Sequence, residues 1–204
     1  MRPMRKKTVV FALGAVFASG MGTALAQQDA RKLATAICSV CHGPEGRSVT
    51  PMFPRLAGQQ AAYLILQLEA FRSHKRADPN AQVYMWGMAA DLSGATIEAL
   101  ANYYAAQKPL QGQVGDPALM AAGRVIYAEG VPAQNVPACA TCHGSSAQGV
   151  GAFPRLGGQH VDYLVGQLEG FQSGLRVHAP LMPGLARALS AEQIKAVATY
   201  AGSR

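Results

Sequence analysis

The chain has 204 residues, half of them apolar and 14% charged, with a formal charge of +7. That is enough apolar material for one or two packed domains and excludes a disordered polyelectrolyte. Four of the basic residues lie within the first seven positions, so residues 27–204 hold fourteen basic against eleven acidic side chains, +3. No basic stripe interleaved with aromatics occurs, and nucleic acid is excluded as a partner.

The N-terminus opens on Arg2, Arg5, Lys6 and Lys7, continues through an apolar run from Thr8 to Ala18, and ends in Ala24-Leu25-Ala26. This order reads as a secretory signal peptide over 1–26, cleaved after Ala26, with an uncleaved anchor as the weaker reading. No later stretch approaches the ~18 consecutive apolar residues of a spanning helix. The expected location is the periplasm.

A helix is expected from about Ala30 to Cys41, closing on Cys38-Ser39-Val40-Cys41-His42. The same C-x-x-C-H pattern returns at Cys139-Ala140-Thr141-Cys142-His143, and the two copies use all four cysteines of the chain. It is the pattern for covalent attachment of a c-type haem. Two thiols three positions apart reach the two vinyl groups of one porphyrin, and the following histidine can bind the iron. A zinc site fits adjacent Cys-His ligands poorly, and neither a redox dithiol nor a structural disulfide requires that histidine.

The loop beyond the first motif carries Phe53-Pro54-Arg55-Leu56-Ala57-Gly58-Gln59, which recurs as Phe153-Pro154-Arg155-Leu156-Gly157-Gly158-Gln159. A ligating imidazole commonly gives its second N–H to a carbonyl. Pro54, 12 residues after His42, and Pro154, 11 after His143, are the candidates. Arg55 and Arg155 could pair with a haem propionate, although a plain loop proline and a solvated arginine fit these positions equally well. A second helix is expected over about Gln59 to His74, with Leu64, Leu68 and Phe71 on one face. Its Tyr63 and the repeat equivalent Tyr163 read as core packing with satisfied hydroxyls. His74, His160 and His178 have no repeat equivalents and read as ordinary histidines.

Before the third helix, about Thr96 to Gln107, a loop is expected to hold Met85-Trp86-Gly87-Met88, matched by a loop with Met182-Pro183-Gly184-Leu185 in which Pro180, Pro183 and Gly184 make a stiff turn. The repeat pairs Met85 with Met182 and gives Met88 no partner, so Met85 is preferred as the second axial ligand. A stretch rich in Pro, Gly and Gln, 107–115, then separates two units, 27–113 and 114–204. In the second unit Asp116-Pro117 reads as a helix start and Ser190-x-x-Gln193 as a capping box. The expected class is all-α: two tandem units, each of about three helices wrapped round a haem that completes a core too small to stand alone.

The signal peptide, duplicated C-x-x-C-H, F-P-R-L-x-G-Q, Y-L-x-x-Q-L and M-x-G together resemble the di-haem cytochrome c4 family, over essentially all of residues 27–204. The resemblance implies two class I cytochrome c domains about a pseudo-twofold axis and two covalently bound haem c groups. It implies thioether links at Cys38, Cys41, Cys139 and Cys142, and axial pairs His42 with Met85 and His143 with Met182. It further implies a periplasmic, non-enzymatic carrier, often membrane-associated, that takes electrons from an upstream quinol-oxidising complex and gives them to a membrane-bound terminal oxidase. A haem subunit of a larger oxidoreductase and, further off, a di-haem peroxidase are the alternatives. The halves carry +2 and +1, unlike the acidic-and-basic division of many members.

Overall fold

The computed structural model describes residues 27–204; the signal-peptide reading of 1–26 lies outside the described residues. Helix α1 covers 27–42 and contains a π-turn at Ala34–Cys38 before its last turn, Ser39–His42. Gly43, at φ +73°, stops it in a conformation that a side chain would resist. Helices α2 (Ala61–Arg72), α3 (79–89) and α4 (Gly94–Ala105) complete the first unit.

In the second unit the order is α5 (Pro117–Glu129), α6 (Ala140–His143), α7 (Val161–Gln172), α8 (Met182–Arg187) and α9 (Ala191–Gly202). Asp116 caps α5, its carboxylate accepting from the N–H groups of Ala118 and Leu119 at 2.9 and 3.0 Å. Ser190 and Gln193 form the reciprocal capping box of α9. Among the described residues the only β pairing is isolated bridges.

The methionine stretches are more ordered than loops. Met85 ends a π-turn, Ala81–Met85, within α3, and Met182 opens α8. Pro183 lies in the first turn of α8, where its missing N–H costs no helical hydrogen bond, so the proline that signals a turn begins a helix instead.

Each unit packs its first helix across its last. In the second, α5 crosses α9 at Gly123, where a Cβ would strike the Ala196 carbonyl oxygen; Ile126, Tyr127, Leu164 and Val197 form the surrounding core. In the first, Ala30 and Ala34 of α1 pack with Leu64, Leu100, Ala101 and Tyr104. Small residues at the crossings let the backbones approach closely. In the first unit this sets the C-x-x-C-H end of α1 against the core, whereas in the second the motif lies on the separate helix α6, with Cys139 and Ala140 packed on that core.

The two units meet through exchanged contacts. The Gln59 side chain donates to Arg155 O at 2.9 Å and accepts from Arg155 N at 2.7 Å. Gln159 repeats this with Arg55 O and Arg55 N, both at 2.9 Å. Residue i touching j while j's equivalent touches i's equivalent is the mark of a twofold axis. Farther along that axis the backbones of Arg76 and Arg176 form an antiparallel bridge.

Candidate functional site

His42 and His143 are the best-defined groups of the site. Each ends its C-x-x-C-H helix, is buried, and places Nδ1 2.9 Å from a proline carbonyl: Pro54 O for His42 and Pro154 O for His143. Phe53 and Phe153 stand edge-on to them at 6.1 and 6.2 Å. A carbonyl can only accept, so Nδ1 carries the hydrogen and Nε2 keeps its lone pair. Burial pulls both imidazole pKa values down, against the opposing pull of the proline carbonyls. The result is a neutral ring with its tautomer fixed, the form a metal ion requires of histidine.

The four cysteines are free thiols, half-buried beside these histidines. Burial pushes Cys38 up, and Cys139 up to about 11. A redox dithiol calls for the opposite shift. Among the described residues no group of three or more His, Cys, Asp or Glu side chains gathers to hold a metal ion. Two thiols for two vinyl groups, with one free imidazole nitrogen next to them, fit a covalent haem in each unit.

Met85 is half-buried and packs with Trp86 on a cluster of Phe71, Ala81 and Ala89. Met182 is half-buried at the start of α8, and Met88 is 58% exposed. Arg55 spends its guanidinium on carbonyls, donating from Nε to Ser48 O at 3.2 Å and from a terminal nitrogen to Gly158 O at 2.6 Å. Arg155 donates from Nε to Gly157 O at 3.1 Å. Both retain free N–H groups.

Sequence reasoning missed the polar core between the units. Arg76 and Arg176 are each 4% exposed. Arg76 donates to Gln67 Oε1 at 3.0 Å, Gln167 Oε1 at 2.6 Å and Tyr163 Oη at 3.3 Å. Arg176 answers with Gln167 Oε1 at 2.8 Å, Gln67 Oε1 at 2.9 Å and Tyr63 Oη at 2.7 Å. Tyr63 and Tyr163 thus accept across the interface rather than within their own cores. Phe71 and Phe171 lie under the two guanidiniums at 4.7 and 4.5 Å.

The symmetry breaks beside the two arginines. Asp78 takes Arg76 Nε at 2.7 Å, whereas the second unit places His178 there, bonded to Gln67 Oε1 at 3.0 Å, and Arg176 Nε is buried without a partner. The available signal was that Gln67, Arg76 and their equivalents are polar residues repeated in both units.

The cytochrome c family model matches residues 27–107 and 120–203. A cytochrome c4 from Thiocapsa roseopersicina is 40% identical, aligning over 82% of this chain and 86% of its own length. A thiosulfate dehydrogenase electron acceptor from Stutzerimonas stutzeri is 37% identical over 88% and 84%. The solved structure of Acidithiobacillus ferrooxidans cytochrome c4 superposes with a TM-score of 0.76 at 45% identity, covering 82% of this chain and 98% of that one.

Proposed function

Because this chain belongs to the cytochrome c family and, within it, to the di-haem cytochrome c4 group, we propose that it works in the periplasm between a quinol-oxidising complex and a membrane-bound terminal oxidase. It is a di-haem electron carrier and not an enzyme. The haems, when bound, supply one-electron iron couples.

The remaining work falls to the chain's own residues. Cys38, Cys41, Cys139 and Cys142 would hold the two groups covalently. His42 and His143 would ligate through Nε2, oriented by Pro54 and Pro154, and Met85 and Met182 would supply the second ligand of each group. The observation that carries this reading is the duplicated imidazole whose Nδ1 is committed to a proline carbonyl, each beside a free thiol pair. Arg55 and Arg155 offer their remaining N–H groups to propionates. Export follows cleavage after Ala26, the units divide at 113/114, and docking to the oxidase involves peripheral membrane association. Among the described residues no helix is long and apolar enough to cross a membrane.

A second reading has its own support. The similarity to a thiosulfate dehydrogenase electron acceptor favours a carrier that takes electrons from a dehydrogenase, as a free protein or as a haem subunit of the complex. A spectroscopic redox titration of the holoprotein tests the ligand set, because methionine ligation gives an oxidised haem a weak far-red Met-to-iron band: Met182→Ala abolishes the band of one haem, and Met88→Leu spares both. Loss of a band in Met88→Leu with retention in Met85→Leu overturns the ligand choice. Oxygen uptake by oxidase-containing membranes supplied with the reduced protein tests the acceptor. Failure there, with rapid reduction by thiosulfate and its dehydrogenase, selects the second reading.

A further inference from the structure

We propose that Trp86 and Arg76 are positioning residues that tie the Met85 helix to the opposite unit, so that sulfur ligation in the first unit depends on how the two units are docked. This rests on Met85 being the ligand. Trp86 follows Met85 directly, and its indole N–H donates to the backbone carbonyl of Arg76 at 2.8 Å. Its ring stacks on His74, centroids 4.1 Å apart and planes 13° from parallel. His74 holds φ +56°, an uncommon conformation for a side-chain-bearing residue, at the turn that leads into Arg76.

Arg76 is fixed on its other side by the second unit, through Gln167 Oε1 at 2.6 Å and Tyr163 Oη at 3.3 Å. Its guanidinium lies over Phe71, a member of the cluster on which Met85 and Trp86 also pack. A continuous path therefore runs from Met85 through Trp86 and Arg76 to Gln167, made of one peptide bond, two hydrogen bonds and the covalent frames of Trp86 and Arg76. The second unit has no equivalent tie, because Pro183 stands where Trp86 does and has no N–H to donate. Helix α8 is held within its own unit instead, by Gln172 Nε2 donating to Ala186 O and Leu189 O, both at 2.9 Å.

The holoprotein with Met182→His reports on Met85 alone, since its second haem no longer carries a sulfur ligand. Imidazole is titrated in, and the concentration that half-removes the remaining far-red band is read. In that background Met85→Ala must abolish the band; if the band survives, the ligand reading fails and takes the proposal with it. Trp86→Phe keeps the stacked ring and loses the N–H, and the half-displacing imidazole concentration falls roughly five- to tenfold, the worth of one hydrogen bond. Gln167→Leu, in the other unit, moves it in the same direction. Gln167→Glu gives Arg76 a charged acceptor and moves it the opposite way. A shift in Trp86→Phe with no change in either Gln167 variant shows a purely local tie and overturns the proposal. So does the absence of a shift in all three.

Discussion

The Asp78 carboxylate, paired with a buried arginine between the units, gives the sharpest stability prediction. Asp78 and Arg76 form an ion pair whose side chains are 11% and 5% exposed, with Nε 2.7 Å from Oδ2. Burial alone opposes charge on Arg76, yet the Tyr163 and Tyr63 hydroxyls and the Asp78 carboxylate together hold its pKa above the ordinary arginine range. It therefore remains a cation in every folded state. Asp78→Asn leaves that cation buried without a counter-ion, a loss of about 3–5 kcal/mol. Arg76 keeps its bonds to Gln67, Gln167 and Tyr163, which places the expected cost near 3 kcal/mol. For a chain of this size that lowers Tm by roughly 6–12 °C.

The same axis supplies the rescue. Arg176 Nε is buried and unpartnered where Arg76 Nε has its aspartate. His178→Asp should restore one carboxylate to the pair of guanidiniums, giving up the His178 bond to Gln67, worth about 1 kcal/mol. Calorimetry on the four holoproteins of the cycle is the assay. His178→Asp should raise Tm more in the Asp78→Asn background than in the parent, with a coupling of about 1 kcal/mol or more. A drop of less than about 3 °C in Asp78→Asn, or a double variant no more stable than Asp78→Asn, refutes the reasoning.

Burial, then Arg176 and Arg76, push the His178 pKa down to about 4 against an ordinary 6.5, with Asp78 opposing. The unfolded chain therefore takes up a proton that the folded one refuses, and stability falls as pH drops from about 6.5 to 4. His178→Asn should flatten that part of a Tm–pH curve, and an unchanged slope would count against the assignment. Ser190→Ala removes the capping box of α9 and should cost about 1 kcal/mol, read as a fall of ~2–4 °C in Tm. Gly123→Ala drives a Cβ into the Ala196 carbonyl and to 2.8 Å from Tyr200 Cβ. With backbone on the receiving side it should cost about 3 kcal/mol, measurable by denaturant titration.

Much of the molecule was legible because the chain states it twice. A motif such as Cys38 to His42, repeated with its own Phe-Pro-Arg segment, fixes both the number of units and the helix that presents each histidine. The caps at Asp116 and Ser190 act within three residues, a range over which sequence speaks directly. The interface was illegible for the opposite reason. Gln59 meets Arg155, and Arg76 meets Gln167, contacts about ninety residues apart in the chain. A repeated Gln looks the same whether it serves its own core or its neighbour's. The methionine stretches read as loops in the sequence because Gly87 and Pro183 are turn residues by default. Proline in the first turn of a helix and a π-turn that absorbs one extra residue both escape that default.

A duplicated chain would carry every axis contact in two copies, so the two departures are informative together. His178 in place of aspartate removes one of two buried ion pairs, and Pro183 in place of tryptophan removes one of two ties to the neighbouring arginine. Both absences fall on the second unit, and both surviving contacts converge on Arg76, through Nε to Asp78 and through its carbonyl from Trp86. The stability and ligation experiments therefore probe opposite ends of one residue. If Arg76 transmits, Asp78→Asn should lower the imidazole concentration that displaces Met85 as well as Tm, although the Asp78 carboxylate is hydrogen-bonded to Arg76 and not to Trp86. A Tm loss with Met85 displacement unchanged would confine Asp78 to holding the units together and leave Trp86 as the whole of the tie.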